Sequence, residues 1–157
     1  MKMFKKIMAI ALVGVMALSM LTGCAVTDSI KEKALRNALG TAASIALGEG
    51  ESVKFKGDDD LDKVAKNAVK DLTYAEEITV TTDAKYAPAV VEIKKSTNTA
   101  SEFEQGYAKD LLTKLARNGF VNKKGTHKVG VKFFNLDEKA NGKTTTHYYV
   151  VVVAEAN

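Results

Sequence analysis

The sequence predicts an α+β fold: a three-layer α-β-α sandwich in which about three helices flank a mostly antiparallel sheet of three or four strands. Three observations carry that expectation. Leu61, Val64, Ala65, Ala68, Val69 and Leu72 recur at the spacing of one helix face. Val129, Val131 and Phe133 alternate with polar or small residues, as in a half-buried strand. Val150-Val151-Val152-Val153 is apolar on both faces, which suits a central strand covered by helices on each side.

Taken in order, the elements begin with a helix from Asp28 to about Leu47. Asp28 can cap it, and Ile30, Ala34, Leu35, Ala38, Leu39, Ala42, Ile45 and Ala46 form its thin, alanine-rich apolar face. Residues 48–57 break it, with Val53 and Phe55 as a short extended stretch. Asp58, Asp59 and Asp60 open the second helix, where carboxylates meet the positive end of the helix dipole. Ile78 and Val80 alternate with threonines and predict a strand; Ala89 to Ile93, after the only proline, Pro88, predict another. Residues 94–100 read as a polar loop. Ser101-Glu102-Phe103-Glu104 has the capping-box pattern of a third helix, with Phe103, Tyr107, Leu111, Leu112 and Leu115 on its apolar face. Asn118-Gly119 ends it, and Phe120 can fold back on it. The closing strands are expected at 128–134 and 146–154, joined by a loop longer than two residues that contains Asn141-Gly142.

The amino terminus has a different character. Lys2, Lys5 and Lys6 precede residues 7–21, which carry no charge. Such a run falls short of the roughly 20 apolar residues of a membrane-spanning helix and fits the hydrophobic region of a secretory signal. It closes on Leu21-Thr22-Gly23-Cys24, which resembles the bacterial lipobox, Leu-(small)-Gly-Cys. The resemblance implies cleavage between Gly23 and Cys24, lipidation of the Cys24 sulfur, and acylation of the new amino terminus by a chain such as palmitate. Two or more acyl chains give stable anchoring where one gives only marginal binding. The alternative at Cys24, a buried thiol behind a transmembrane helix, fits the length and flanks less well. The organisation that follows is a signal peptide at 1–23, a lipidated cysteine and tether at 24–27, and one α+β domain at 28–157.

Composition narrows the function classes. Lysine and arginine number 23 against 19 acidic residues. The signal holds three of those lysines, so 20 basic residues remain and the mature charge is about +1. No basic stripe with interleaved aromatics is present, so nucleic acid is not an expected partner. Cys24 is the only cysteine, which leaves neither a disulfide nor a catalytic thiol in the mature chain.

Candidate chemistry is sparse. His127 and His147 are the only histidines, expected at the outer ends of the last two strands, and neither has a second ligand at metal spacing. Asp58-Asp59-Asp60-Leu61-Asp62 departs from the EF-hand loop, with Lys63 at the glycine position and Val69 at the bidentate glutamate. Glu76 and Glu77 are adjacent, and adjacent strand residues point to opposite faces. Tyr148 and Tyr149 read as core and interface aromatics. No glycine-rich phosphate loop and no nucleophile elbow is found. No metal and no cofactor is expected.

Several strings resemble the CAP superfamily, or SCP-like domains. Val53-Lys54-Phe55 and Asp60-Leu61-Asp62-Lys63-Val64-Ala65 are similar to the family's approach to its second helix. Val91-Glu92-Ile93 stands where the family has Gly-Glu-Asn-Ile. Val129-Gly130-Val131 and Tyr148-Tyr149-Val150-Val151-Val152-Val153 resemble its closing strands. The resemblance spans about residues 28–154 and implies an α-β-α sandwich. The family's cleft carries two histidines and two acids. Here Leu112-Thr113-Lys114-Leu115-Ala116-Arg117-Asn118 replaces its helical Ser-x-x-His, and no histidine lies between Leu72 and Val90. Only Glu92 carries over, so the cleft candidates are Glu92, His127 and His147. A second resemblance is to lipoprotein domains of the CsgG/TolB amino-terminal type, which include activators of penicillin-binding proteins. It rests on residues 88–99, a strand followed by an Asn/Thr-rich loop, and on residues 112–120.

The expected function is a lipid-anchored binding or interaction domain on the extracytoplasmic side of a bacterial cell membrane, without an evident catalytic site. Its partners are membrane lipid through Cys24 and a protein or cell-wall ligand. The alternatives are an accessory lipoprotein acting on an envelope enzyme or assembly, and an envelope hydrolase whose site is not visible in the sequence.

Overall fold

The structure, a computed structural model, describes residues 28–48, 52–73, 78–96, 101–103, 111, 114 and 124–156. The signal-like segment, Gly23, Cys24, the tether at 25–27, Glu76 and Glu77 lie outside them, as do Tyr107, Leu112, Leu115, Asn118-Gly119 and Phe120. The elements are α1 (Asp28–Leu47), β1 (Val53–Gly57), α2 (Asp59–Val69), β2 (Tyr86–Ser96), β3 (Ser101–Phe103), β4 (Gly125–Ala140) and β5 (Lys143–Glu155).

They form an α+β arrangement around one mixed sheet of order β1-β4-β5-β2-β3. Four strands carry it, and β3 adds three residues at one edge. β1 runs parallel to β4; β4 with β5, β5 with β2, and β2 with β3 are antiparallel. β5 is central, as its four valines require: Val150, Val151, Val152 and Val153 are all fully buried. Strand alternation divides them. Val150 and Val152 join Leu35, Leu39 and Ala43 of α1, with Val53, Phe55, Ala89, Val91, Leu111, Val129 and Val131, in one apolar cluster. Val151 and Val153 join Leu61, Ala65 and Val69 of α2 in another. Each helix therefore packs against one of the two clusters.

Both helices follow their apolar periodicity. In α1, Leu35, Ala38 and Leu39 are buried as the spacing predicts. Asp58 caps α2, its carboxylate accepting from the Asp60 and Leu61 N–H groups at 3.1 Å each. The Leu61 N–H, followed by Lys128, holds the Asp58 carboxyl below its ordinary value. The acidic cluster is thus a helix start, and Lys128 pairs with Asp58 at 3.1 Å.

The same helix start sits directly on β4. A Cβ at Gly130 would lie 2.0 Å from the Leu61 carbonyl oxygen and 2.1 Å from its carbon, so only glycine permits the approach. β1 ends opposite Val129, and beyond that point Asp62 Oδ1 accepts the Val131 N–H at 2.8 Å. A side chain of α2 continues the role that a neighbouring strand would play.

Several expectations are corrected. Residues 78–83 are not a strand; Val80 packs half-buried against the α2-side core, so the alternation there records one-sided burial without pairing. β2 is longer than expected and contains Pro88, opposite Val153. β3 pairs only with residues 94–96, so among the described residues no strand pairs with β2 beside Pro88, and the missing N–H costs no ladder bond there. Part of the expected polar loop, residues 94–96, belongs to β2. Ser101 to Phe103 is β3, not a helix start, because the β2 edge offers it a ladder. Leu111 and Lys114 are helical, and Leu111 is fully buried in the α1-side cluster.

The largest correction concerns the final hairpin. Asn141-Gly142 is itself the whole connection, a two-residue turn with Ala140 paired to Lys143. Both residues have positive φ, 52° and 75°, which asparagine and glycine adopt most readily. β4 and β5 therefore extend well past the expected 128–134 and 146–154.

Candidate functional site

The extended hairpin moves His147 from a strand end into the body of the sheet. It stands opposite Leu136 on β4 and Lys95 on β2. Alternation puts His147 and Tyr149 on the same face as Val151 and Val153, but towards the turn and beyond α2. Diagonal neighbours on that face are within reach of long side chains. On β4 the diagonal neighbour is Glu138, which pairs with Thr145; on β2 it is Glu92, which pairs with Tyr149. The ladder shifts register immediately after Glu92, a bulge that bends the strand and re-aims its side chains.

The result is a row of three titratable groups. His147 Nδ1 lies 2.8 Å from Glu92 Oε1, and Nε2 lies 2.9 Å from Glu138 Oε2. A neutral imidazole carries one N–H, so serving both contacts takes either an imidazolium or one protonated carboxyl group. His147 is 7% exposed, while the side chains of Glu92 and Glu138 are 22% and 40% exposed. His147 is the buried centre of the row, and both carboxylates are more exposed than it, Glu138 the most.

Tyr149 completes the group. Its ring stacks on Phe134, centroids 5.2 Å apart, and lies near-parallel to His147 at 6.2 Å. Burial, then the negative charges of Glu92 and Glu138, push its hydroxyl up to about 12.

Two of the three cleft candidates are thereby brought together, Glu92 and His147. His127 is not. It lies at the other end of β4, its ring 6.0 Å from that of Phe55, on the face that α1 covers. The position opposite His147 on β4 is nine residues further along, about 30 Å of extended strand. The histidines, expected at strand ends that a hairpin could bring near one another, lie on opposite faces. Glu138 was missed because it falls in the expected loop; taking Asn141-Gly142 as a two-residue turn would have placed it diagonal to His147.

Among the described residues no cluster of three His, Cys, Asp or Glu side chains is arranged to hold a metal ion. The two carboxylates straddle the imidazole and do not converge on a common point. Among the described residues every buried side-chain nitrogen or oxygen has a partner. Compared with known protein families, curated proteins and solved structures, the chain matches none.

Proposed function

We propose that the chain is a lipid-anchored, extracytoplasmic binding module whose buried histidine cluster fixes the sheet and does not react. The address rests on Leu21-Thr22-Gly23-Cys24 at the end of an uncharged segment. With α1 starting at Asp28, four residues after Cys24, the domain would sit close against the membrane. The α-β-α layering belongs to the same reading. α1 and the helical residue Leu111 lie on one face and α2 on the other, and an SCP-like domain of this kind would have no cleft histidines.

One observation favours binding over hydrolysis: both nitrogens of His147 are engaged by carboxylates. A general base must keep one nitrogen within hydrogen-bond reach of the substrate while its other nitrogen is oriented. Here the second nitrogen already faces Glu138, so the row has the form of a cross-strand clamp between β2, β5 and β4.

The test is the mature protein from its native membrane. Mass spectrometry should find Cys24 as the amino-terminal residue, carrying lipid on its sulfur, and Cys24→Ala should remain unprocessed or leave the membrane fraction. An unmodified thiol at Cys24 would end the anchored reading.

A further inference from the structure

The contacts of Glu92, His147 and Glu138 set a proton count. Two ionised carboxylates and a neutral imidazole bring one N–H to two contacts, at 2.8 Å and 2.9 Å. One contact would then set a nitrogen lone pair against a carboxylate oxygen, acceptor against acceptor. A single further proton removes the conflict, whether it rides on the imidazole or on a carboxyl oxygen. The row as it stands therefore holds one proton more than its fully basic form.

The two contacts are not equivalent. Glu92 is the less exposed carboxylate and sits beside the bulge of β2; Glu138 is the more exposed and lies close to the Asn141-Gly142 turn. A carboxylate that loses its donor recovers hydration by turning outward, and Glu138 reaches water with less rearrangement than Glu92. Other charged groups stand near. At the ladder positions around His147, β2 carries Lys95 beside Glu92, and β3 carries Glu102 opposite Lys95. On β4, Lys132 lies on the His147 face, paired with Val151. α2, packed on Val151 and Val153, has Lys66 in its last turn and Lys70 at its end. On β5, Tyr149 keeps its proton, its hydroxyl pushed up to about 12.

From this geometry we propose that the row is a proton-operated latch on the hairpin. With the proton bound, His147 ties β2, β5 and β4 together. When it leaves for water, Glu92 keeps the Nδ1–H and Glu138 turns out to solvent, which loosens residues 137–146. Only the N–H or O–H bond that carried the proton breaks. On the opposite face Thr146 Oγ1 still donates to Asp137 at 2.8 Å, so the hairpin end loosens without parting. The latch adds a response to pH to the binding module, and its operation does not depend on the anchor.

The test is NMR of the full chain, labelled with ¹⁵N and ¹³C, in detergent micelles from about pH 5 to about pH 9, below the ordinary range of tyrosine and lysine. Ring nitrogens distinguish the imidazolium from the two neutral tautomers, and side-chain carbons report Glu92 and Glu138. The expected result is release of one proton from the row, leaving His147 as the Nδ1–H tautomer. Across that step the protection factors of the 137–146 amides should fall about tenfold while those of α2 stay constant. Protection factors are compared because exchange itself quickens with pH. Glu138→Gln supplies an amide that can donate to Nε2 or accept from it, so its protection should be flat across the range. No proton released between those limits, an Nε2–H tautomer at high pH, protection indifferent to the step, or a step that persists in Glu138→Gln would each overturn the proposal.

Discussion

Two halves of one sheet face solve burial differently. Under α2, Val151 and Val153 are sealed by Leu61, Ala65 and Val69, and dispersion and apolar transfer suffice. Two and four residues back along the same strand, Tyr149 and His147 lie almost as deep, yet that half is built from a polar row and stacked rings. There each buried polar atom must find a partner, because one left unpaired costs about 1–3 kcal/mol. The helix-covered half tolerates any apolar residue of suitable volume. The turn-side half specifies Glu92, His147 and Glu138 as a set.

The sharpest way to break the covered half is Gly130→Ala. Its Cβ would collide with backbone atoms of Leu61, which cannot rotate away, so α2 must lift. The expected loss is about 3 kcal/mol or more, at the upper end of overpacking effects. Urea melts measure it. Hydrogen exchange should show α2 amides opening while the amides of 143–149 stay protected; uniform loss across both would show that the halves are one cooperative unit.

Leu111→Ala tests the opposite face, where Leu111 is fully buried against the α1-side cluster. Truncating a leucine at such a site costs about 2–5 kcal/mol, against under about 0.5 kcal/mol at an exposed one. The sequence placed Leu111 on a buried stripe, and its burial was legible. Periodicity also placed α1 and α2, since each buries a single face and the rule needs no knowledge of partners. What escaped was non-local. The capping-box residues Ser101 to Phe103 instead occupy an available sheet edge, and the short extended stretch expected at Val53 and Phe55 gave no sign of its parallel partner, β4. The polar residues 137–146 hide a strand pair because all of them are exposed or half-exposed, and no buried face marks a period of two. Glu92 and His147 could be singled out by residue type. Their contact depends on a register and a bulge that only the assembled sheet fixes.

The polar half can be sharpened by a double-mutant cycle on Glu92→Gln and His147→Gln. Residues sharing one hydrogen-bond network couple by roughly 0.5–3 kcal/mol. Thermal melts of the four proteins should give a coupling within that range. The same cycle between His147→Gln and Val153→Ala, one from each half, should be additive to about 0.5 kcal/mol. A null result for the first pair would mean that the clamp contributes nothing to the fold and would reopen the catalytic reading of His147.

The smallest expected effect lies at alkaline pH. The Tyr149 hydroxyl is pushed up from its ordinary 10 to about 12, chiefly by burial and then by Glu92 and Glu138. Between those values the unfolded chain loses the phenolic proton while the folded chain keeps it, so the folded state binds more protons and stability falls as pH rises. The contribution is complete below pH 10, is lost progressively between about 10 and 12, and amounts to roughly 1–2 kcal/mol. Tyr149→Phe keeps the ring stacked on Phe134 and removes the proton. Lysines titrate in the same range, so the measurement is the difference between wild type and variant in urea melts at successive pH values. The gap between the two should shift in favour of Tyr149→Phe by that amount between pH 10 and 12 and stay flat below. If the difference is flat throughout, neither burial nor the two carboxylates hold the proton on Tyr149, and the turn-side half is held by ring stacking and the His147 clamp alone.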